Sequence, residues 1–235
     1  MALRAGRHFI SAYTLHMAEA VSYSRPLADA QREALVARGR RLEYFTISWN
    51  VLEAAVALMA GLAAGSIALL GFGFDSLIET TSALVLLWRL RVDQASERRA
   101  AAEGRSQRLV GACFLLLAAY ILYESVEALW LHEVAQRSVP GVLLAAASVL
   151  VMPRLARAKR RVAAELGSRA LHSDSRQADF CAYLSAILLA GLALQWALGW
   201  WWADPVAALL MAPIIAQEGV QGLRGRGGDE CGCHS

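Results

Sequence analysis

Apolar positions in this chain neither alternate nor recur on a single stripe. They run on continuously, in stretches too long for one face of a soluble helix. Six such runs cover residues 43–64, 66–90, 107–131, 139–157, 170–198 and 203–222. A run of about 18 or more apolar residues is long enough to cross a bilayer. Inside lipid each must be a helix, because backbone N–H and C=O groups there find no water. The pattern therefore predicts an all-α membrane protein, a six-transmembrane-helix bundle over 42–222. It predicts a cytoplasmic N-terminal extension with an amphipathic helix over 1–41, and a short tail over 223–235 containing Cys and His.

The polar positions between the runs are mostly basic, and they alternate by side. Of 23 Lys and Arg residues, 21 fall before helix 1, around the 2–3 and 4–5 connections, or in the tail. Arg137 lies in a connection on the other side, and Arg176 at the start of helix 5. By the positive-inside rule both termini are cytoplasmic. Five or seven spans would mix the charges. The net charge of +3 thus reports topology. The basic clusters coincide with helix ends, which argues against a nucleic-acid patch. A hydrophobic content of 57% and a mean hydropathy of +0.40 agree with a membrane protein, since soluble domains are about 45–50% apolar.

The two ends add little. Residues 1–24 contain no clean secretory signal, and Met17 is an alternative start. Pro26 suits the first turn of a helix that leads into helix 1. Of four cysteines, Cys113 and Cys181 fall in spans, where a packing role is expected. Cys231 and Cys233, with His234, form a "CGCH" tail on the reducing side, read either as a soft-metal arm or as unstructured chain.

What changes the picture is the placement of acids. In "GFGFDSLIETT" Asp75 and Glu79 stand four residues apart in an apolar run, hence on one helical face. Asp75 is about 13 Å along the helix from Ser66, near mid-membrane. Two close carboxylates in a dry site repel one another when both are ionised, so the pair favours a proton or a cation. The competing reading is a structural pair or a salt bridge. Helix 5 carries His172, Asp174, Ser175, Arg176 and Asp179. Asp179 is the deepest charge there, with Ser175 one turn before it and His172 two turns before it. The competing reading for Asp179 is a local pair with Arg176. Glu53, with Asn50 one turn away, suits a proton carrier or a supporting group. Glu124 and Glu127 lie near the outer end of helix 3, solvated or lining an exit. Asp204 and Pro205 open helix 6 as N-cap and first-turn residue, beside an interfacial belt of Trp200, Trp201 and Trp202.

With these residues on the page, "GSIALLGFGFDSLIE" resembles helix 2 of the cation diffusion facilitator (cation efflux) family, and "WWWADPVAALL" is similar to its helix 6 opening. The resemblance covers about 42–222. It implies a metal site with two ligands from helix 2 and two from helix 5, the latter as a His/Asp-x-x-x-Asp pair. The carry-over falls on Asp75 and Glu79, with Glu in place of the commoner Asp. On helix 5 it favours Asp179, whose partner position is then Ser175. If Asp174 is the acid, the partner position is Ala170. His172, Asp174, Ser175 or water then supplies the fourth ligand. Two features depart from the family: few residues follow helix 6, and the 4–5 connection lacks histidine.

The resemblance implies a transporter rather than an enzyme, with no resident cofactor. It would export a divalent transition metal by proton antiport. Zinc comes first, with Mn, Fe, Co, Ni or Cd as further cargoes. The partners would be protons, the lipid bilayer and a second copy in a homodimer, and the location a bacterial inner membrane. The alternatives are a membrane-embedded enzyme that uses carboxylate-bound metal on a lipid-soluble substrate, and a non-transporting scaffold.

Overall fold

The computed structural model describes the backbone of residues 5–92 and 96–224, and the side chains of 29–81, 83–84, 108–168, 171–172 and 174–224. The chain folds as a bundle of α1 (Ala5–Ala64), α2 (Ile67–Val92), α3 (Ser96–Leu131), α4 (Val139–Leu166), α5 (Arg169–Leu198) and α6 (Ala203–Leu223). Asp29–Ala64, Arg108–Leu131, Val139–Leu166, Asp174–Leu198 and Ala203–Leu223 are each long and apolar enough to cross a membrane. The protein is therefore an integral, multi-pass membrane protein.

Several helices overrun the apolar runs, α1 and α3 at their starts and α4 at its end. α4 continues nine residues past 157, through "AKRRVAAEL", and α1 starts far upstream of residue 43. Lipid fixes where side chains must be apolar. It does not fix where a helix stops. The basic stretch after residue 157 is built of strong helix formers. It ends only at Gly167, whose φ of 61° satisfies the left-handed C-cap and lets its N–H reach the carbonyls of Ala163 and Ala164. α4 and α5 both start on serine caps. The Ser138 hydroxyl accepts the Gly141 N–H (3.1 Å), and that of Ser168 accepts the Leu171 N–H (3.4 Å).

α3 packs most extensively on α6, α4 on α5, and α1 on α2. The α3–α6 crossing is backbone to backbone. A Cβ on Gly111 would sit 2.7 Å from the Gly219 carbonyl oxygen, so only glycine fits. α2 is the hub and touches α1, α3, α5 and α6. Its inward face carries Leu69, Phe72, Asp75, Ser76, Glu79 and Thr80, all buried, while Phe74 and Leu77 face outward. The spacing of three and four residues places apolar packing and both acids on one stripe. Gly73 lets this stretch close on α1, since a Cβ there would meet Leu58 at 2.8 Å.

The sequence reading of Asp204 is corrected by the fold. Position 202 is the α6 N-cap, and it makes no side-chain cap bond. Asp204 caps a different helix. Its Oδ1 accepts the Ser66 hydroxyl (2.5 Å) and its Oδ2 accepts the Ile67 N–H (2.8 Å), while Ser66 Oγ accepts the Leu69 N–H (3.1 Å). The aspartate thus satisfies the start of α2 from across the bundle, which a cap on its own helix would not do.

Candidate functional site

The polar faces of α1, α2, α4 and α5 meet inside the bundle. On α1, Asn50 and Glu53 are three residues apart and share a buried face. Asn50 Nδ2 donates to Glu79 Oε2 at 2.9 Å, which ties α1 to α2. Glu53, with no solvent exposure, is held by three elements. Its Oε1 accepts Trp49 Nε1 (2.7 Å) from its own helix and the Ser148 hydroxyl from α4. Its Oε2 lies 3.7 Å from the Sγ of Cys181 on α5.

Asp75 is 3% exposed, and its Oδ2 has no hydrogen-bond partner; neither has Asn50 Oδ1. Among the described residues, the charged groups that act on Asp75 are Glu218 of α6 and Glu53, and those that act on Glu79 are Asp75, Glu53 and Glu218. All of them are acids. A buried acid normally has a cation or a full set of donors, and among the described residues Asp75 Oδ2 has neither. Among the described residues no three His, Cys, Asp or Glu side chains already stand close enough to hold a metal ion. Closing on an ion therefore requires side-chain rotation.

The residues expected on helix 5 sit elsewhere. Asp179 is two residues before Cys181, about 200° round the helix. Its carboxylate takes two N–H groups of Arg160 on α4, at 2.6 and 3.3 Å. The expected local partner, Arg176, acts on Glu218 instead. Asp174 pairs with Lys159 of α4, and Lys159 also reaches Glu43 of α1 at 3.3 Å. Lys159 has no solvent exposure, although its sequence context is a basic connection. Ser175 is buried, and its hydroxyl donates to the His172 carbonyl (2.6 Å). The His172 side chain is exposed. These four α5 residues gather at the basic end of the bundle, where α4 and α5 are clamped by ion pairs. Asp75 and Glu79 remain together, as the sequence requires. The "CGCH" tail lies outside the described residues.

Cys181, Ser148 and Glu218 carry weaker signals in the sequence than the acids of α2. Cys181 stands in line with Gln177 and Ser185, at spacings of four, so a polar stripe on α5 was available as a signal. Ser148 is a lone serine in an apolar run. Glu218 lies in the last turns of helix 6, close to the basic tail that masks it.

A model of the cation efflux transmembrane domain matches residues 44–225. Among curated proteins, an uncharacterized transporter of Synechocystis sp. is 30% identical over 189 residues, covering 77% of this chain and 61% of that protein. The cation-efflux pump FieF of Shewanella oneidensis is 25% identical over 169 residues, covering 69% of this chain and 57% of the pump. The chain spans about three fifths of the length of these relatives.

Proposed function

The chain belongs to the cation efflux family, and on that premise we propose that it exports a divalent transition-metal cation through the buried acids of α2. One observation carries the reading: among the described residues Asp75 Oδ2 is buried and unpartnered, and the charged groups that act on Asp75 are acids. A divalent cation removes the repulsion and supplies the missing partner at once. Asp75 and Glu79 are the primary ligands. The ion pairs of Asp179 and Asp174 favour a closing role for these residues at the basic end, with His172 and Ser175 in supporting positions.

Metal binding requires deprotonated carboxylates, so loading releases protons and protons from the opposite side can unload the ion. That exchange is proton antiport. Rocking of the helices around a fixed site near mid-membrane gives alternating access. Zinc is the first cargo to test, since it accepts carboxylate oxygens in four-coordinate sites. Mn, Fe, Co, Ni and Cd are the comparison ions. The concentration of Lys and Arg at one end supports cytoplasmic termini. The bacterial relatives favour a bacterial inner membrane, and a homodimer is the expected assembly.

The test is flux in proteoliposomes with an imposed pH gradient. Zinc movement should follow the gradient and stop in Asp75→Asn. Flux that persists unchanged in both Asp75→Asn and Glu79→Gln would sink the proposal.

A further inference from the structure

We infer that the cation site is built by three helices and carries sulfur: Glu53 of α1 and Cys181 of α5 join Asp75 and Glu79 as ligands, giving a mixed oxygen–sulfur set for a borderline or soft divalent cation. This rests on the transport reading above and narrows its cargo.

The geometry of Glu53 and Cys181 fits two neighbouring ligands of one ion. With a Zn–S bond of about 2.3 Å, a Zn–O bond of about 2.0 Å and a tetrahedral angle, adjacent S and O ligands lie about 3.5 Å apart. Cys181 Sγ and Glu53 Oε2 are separated by 3.7 Å, with both side chains fully buried. The thiol sits in the field of Glu53, Glu79 and Asp75 together. The unpartnered Oδ2 of Asp75 is also buried, and side-chain rotation would bring it to the same ion, since among the described residues no three such groups yet stand close enough to hold one.

The surroundings hold Glu53 in position for this role. Trp49 and Ser148 occupy its Oε1 and leave Oε2 directed at the cysteine. Donors that fix one oxygen of a carboxylate orient the other toward an ion. Asn50 does the same for Glu79 from α1 by donating to its Oε2. A cysteine used only for packing needs no carboxylate beside it, whereas the Cys181 thiol donates to Glu53 Oε2 and so points at the oxygen with which it would share an ion. On binding, the Sγ–H bond breaks, the sulfur lone pair goes to the metal, and the proton leaves toward solvent.

Ligand type then sets selectivity. A thiolate favours Cd²⁺ and Zn²⁺ over Mn²⁺, which prefers an all-oxygen shell. Purified protein carrying Cys113→Ser, Cys231→Ser and Cys233→Ser, loaded with zinc, should show one sulfur neighbour at about 2.3 Å in X-ray absorption. Adding Cys181→Ser should remove it. In vesicles Cys181→Ser should lower Cd²⁺ affinity by about tenfold or more beyond its effect on Mn²⁺. Glu53→Gln should weaken both ions, because it removes an oxygen ligand. An all-oxygen or nitrogen shell in the Cys181-containing protein overturns this inference, as does an unchanged Cd²⁺ to Mn²⁺ ratio in Cys181→Ser. Zinc bound by wild type but not by Asp75→Asn, in the presence of such a shell, would leave the transport reading standing. Absence of gradient-driven flux in wild type would overturn both.

Discussion

Replacing Lys159 by methionine keeps the length and apolar stem of the side chain and removes only its charge. Lys159 is fully buried between Glu43 and Asp174, which keep 26% and 32% of their side-chain surface exposed. Breaking a fully buried ion pair by deleting one partner costs about 3–5 kcal/mol. Here water still reaches about a third of each acid, so part of that penalty is recovered. The expected loss is about 2–3 kcal/mol, or roughly 30- to 150-fold in the unfolding constant. The assay is SDS-driven unfolding in mixed micelles, followed by tryptophan fluorescence. The informative comparison is the triple variant Glu43→Gln, Lys159→Met, Asp174→Asn, in which no charge is left alone. Neutralising the whole cluster should return stability to within about 1 kcal/mol of wild type. A loss below about 0.5 kcal/mol in Lys159→Met would refute the reasoning. So would a triple variant no more stable than the single one.

Asp179→Asn should lower stability by about 1 kcal/mol, from a half-exposed ion pair, and leave zinc affinity within about twofold, as isothermal titration would show. A loss near that of Asp75→Asn, about a hundredfold, would instead make Asp179 a ligand. Apparent zinc affinity should rise with pH, by about tenfold per pH unit for each proton released on binding; a flat profile between pH 5 and 8 would mean that no carboxylate or thiol loses a proton. Gly219→Leu should disrupt the α3–α6 crossing, where a Cβ on Gly219 already meets Leu115 at 2.8 Å, and should cost at least about 2 kcal/mol in the same SDS assay. Asp204→Ala removes the partner of Ser66 and Ile67 and should cost about 1–3 kcal/mol, with Asp204→Asn in between.

The bundle was legible in the chain because lipid imposes a simple rule, that every span be apolar over its length. The helix ends were less so. Past residue 157 the sequence turns basic while its helix propensity stays high, and only Gly167 stops it. The site divides along similar lines. Asp75 and Glu79 stood out because charge in an apolar run is conspicuous. The same criterion drew attention to Asp179, whose charge is conspicuous but whose face points to Arg160. Cys181 was read as packing because a thiol carries no formal charge. Projecting Gln177, Cys181 and Ser185 on one helical stripe would have recovered it. Lys159 falls in sequence within or beside the basic 4–5 connection, and no local pattern shows that Glu43, 116 positions earlier, comes to meet it.

The clasp between Asp204 and the start of α2 also has a history in the ribosome. Its partners are 137 and 138 positions apart. A chain growing at roughly 5–20 residues per second makes Ser66 some 7 to 28 seconds before Asp204. Through that interval the Ile67 amide at the start of α2 lacks the acceptor that α6 supplies in the finished bundle. Insertion of α2 should therefore become final late. Chains stalled just before residue 203 should leave residues near Ser66 accessible to a membrane-impermeant label, and chains stalled after α6 has emerged should protect them. The last span to enter the membrane would then be the one that seats the second.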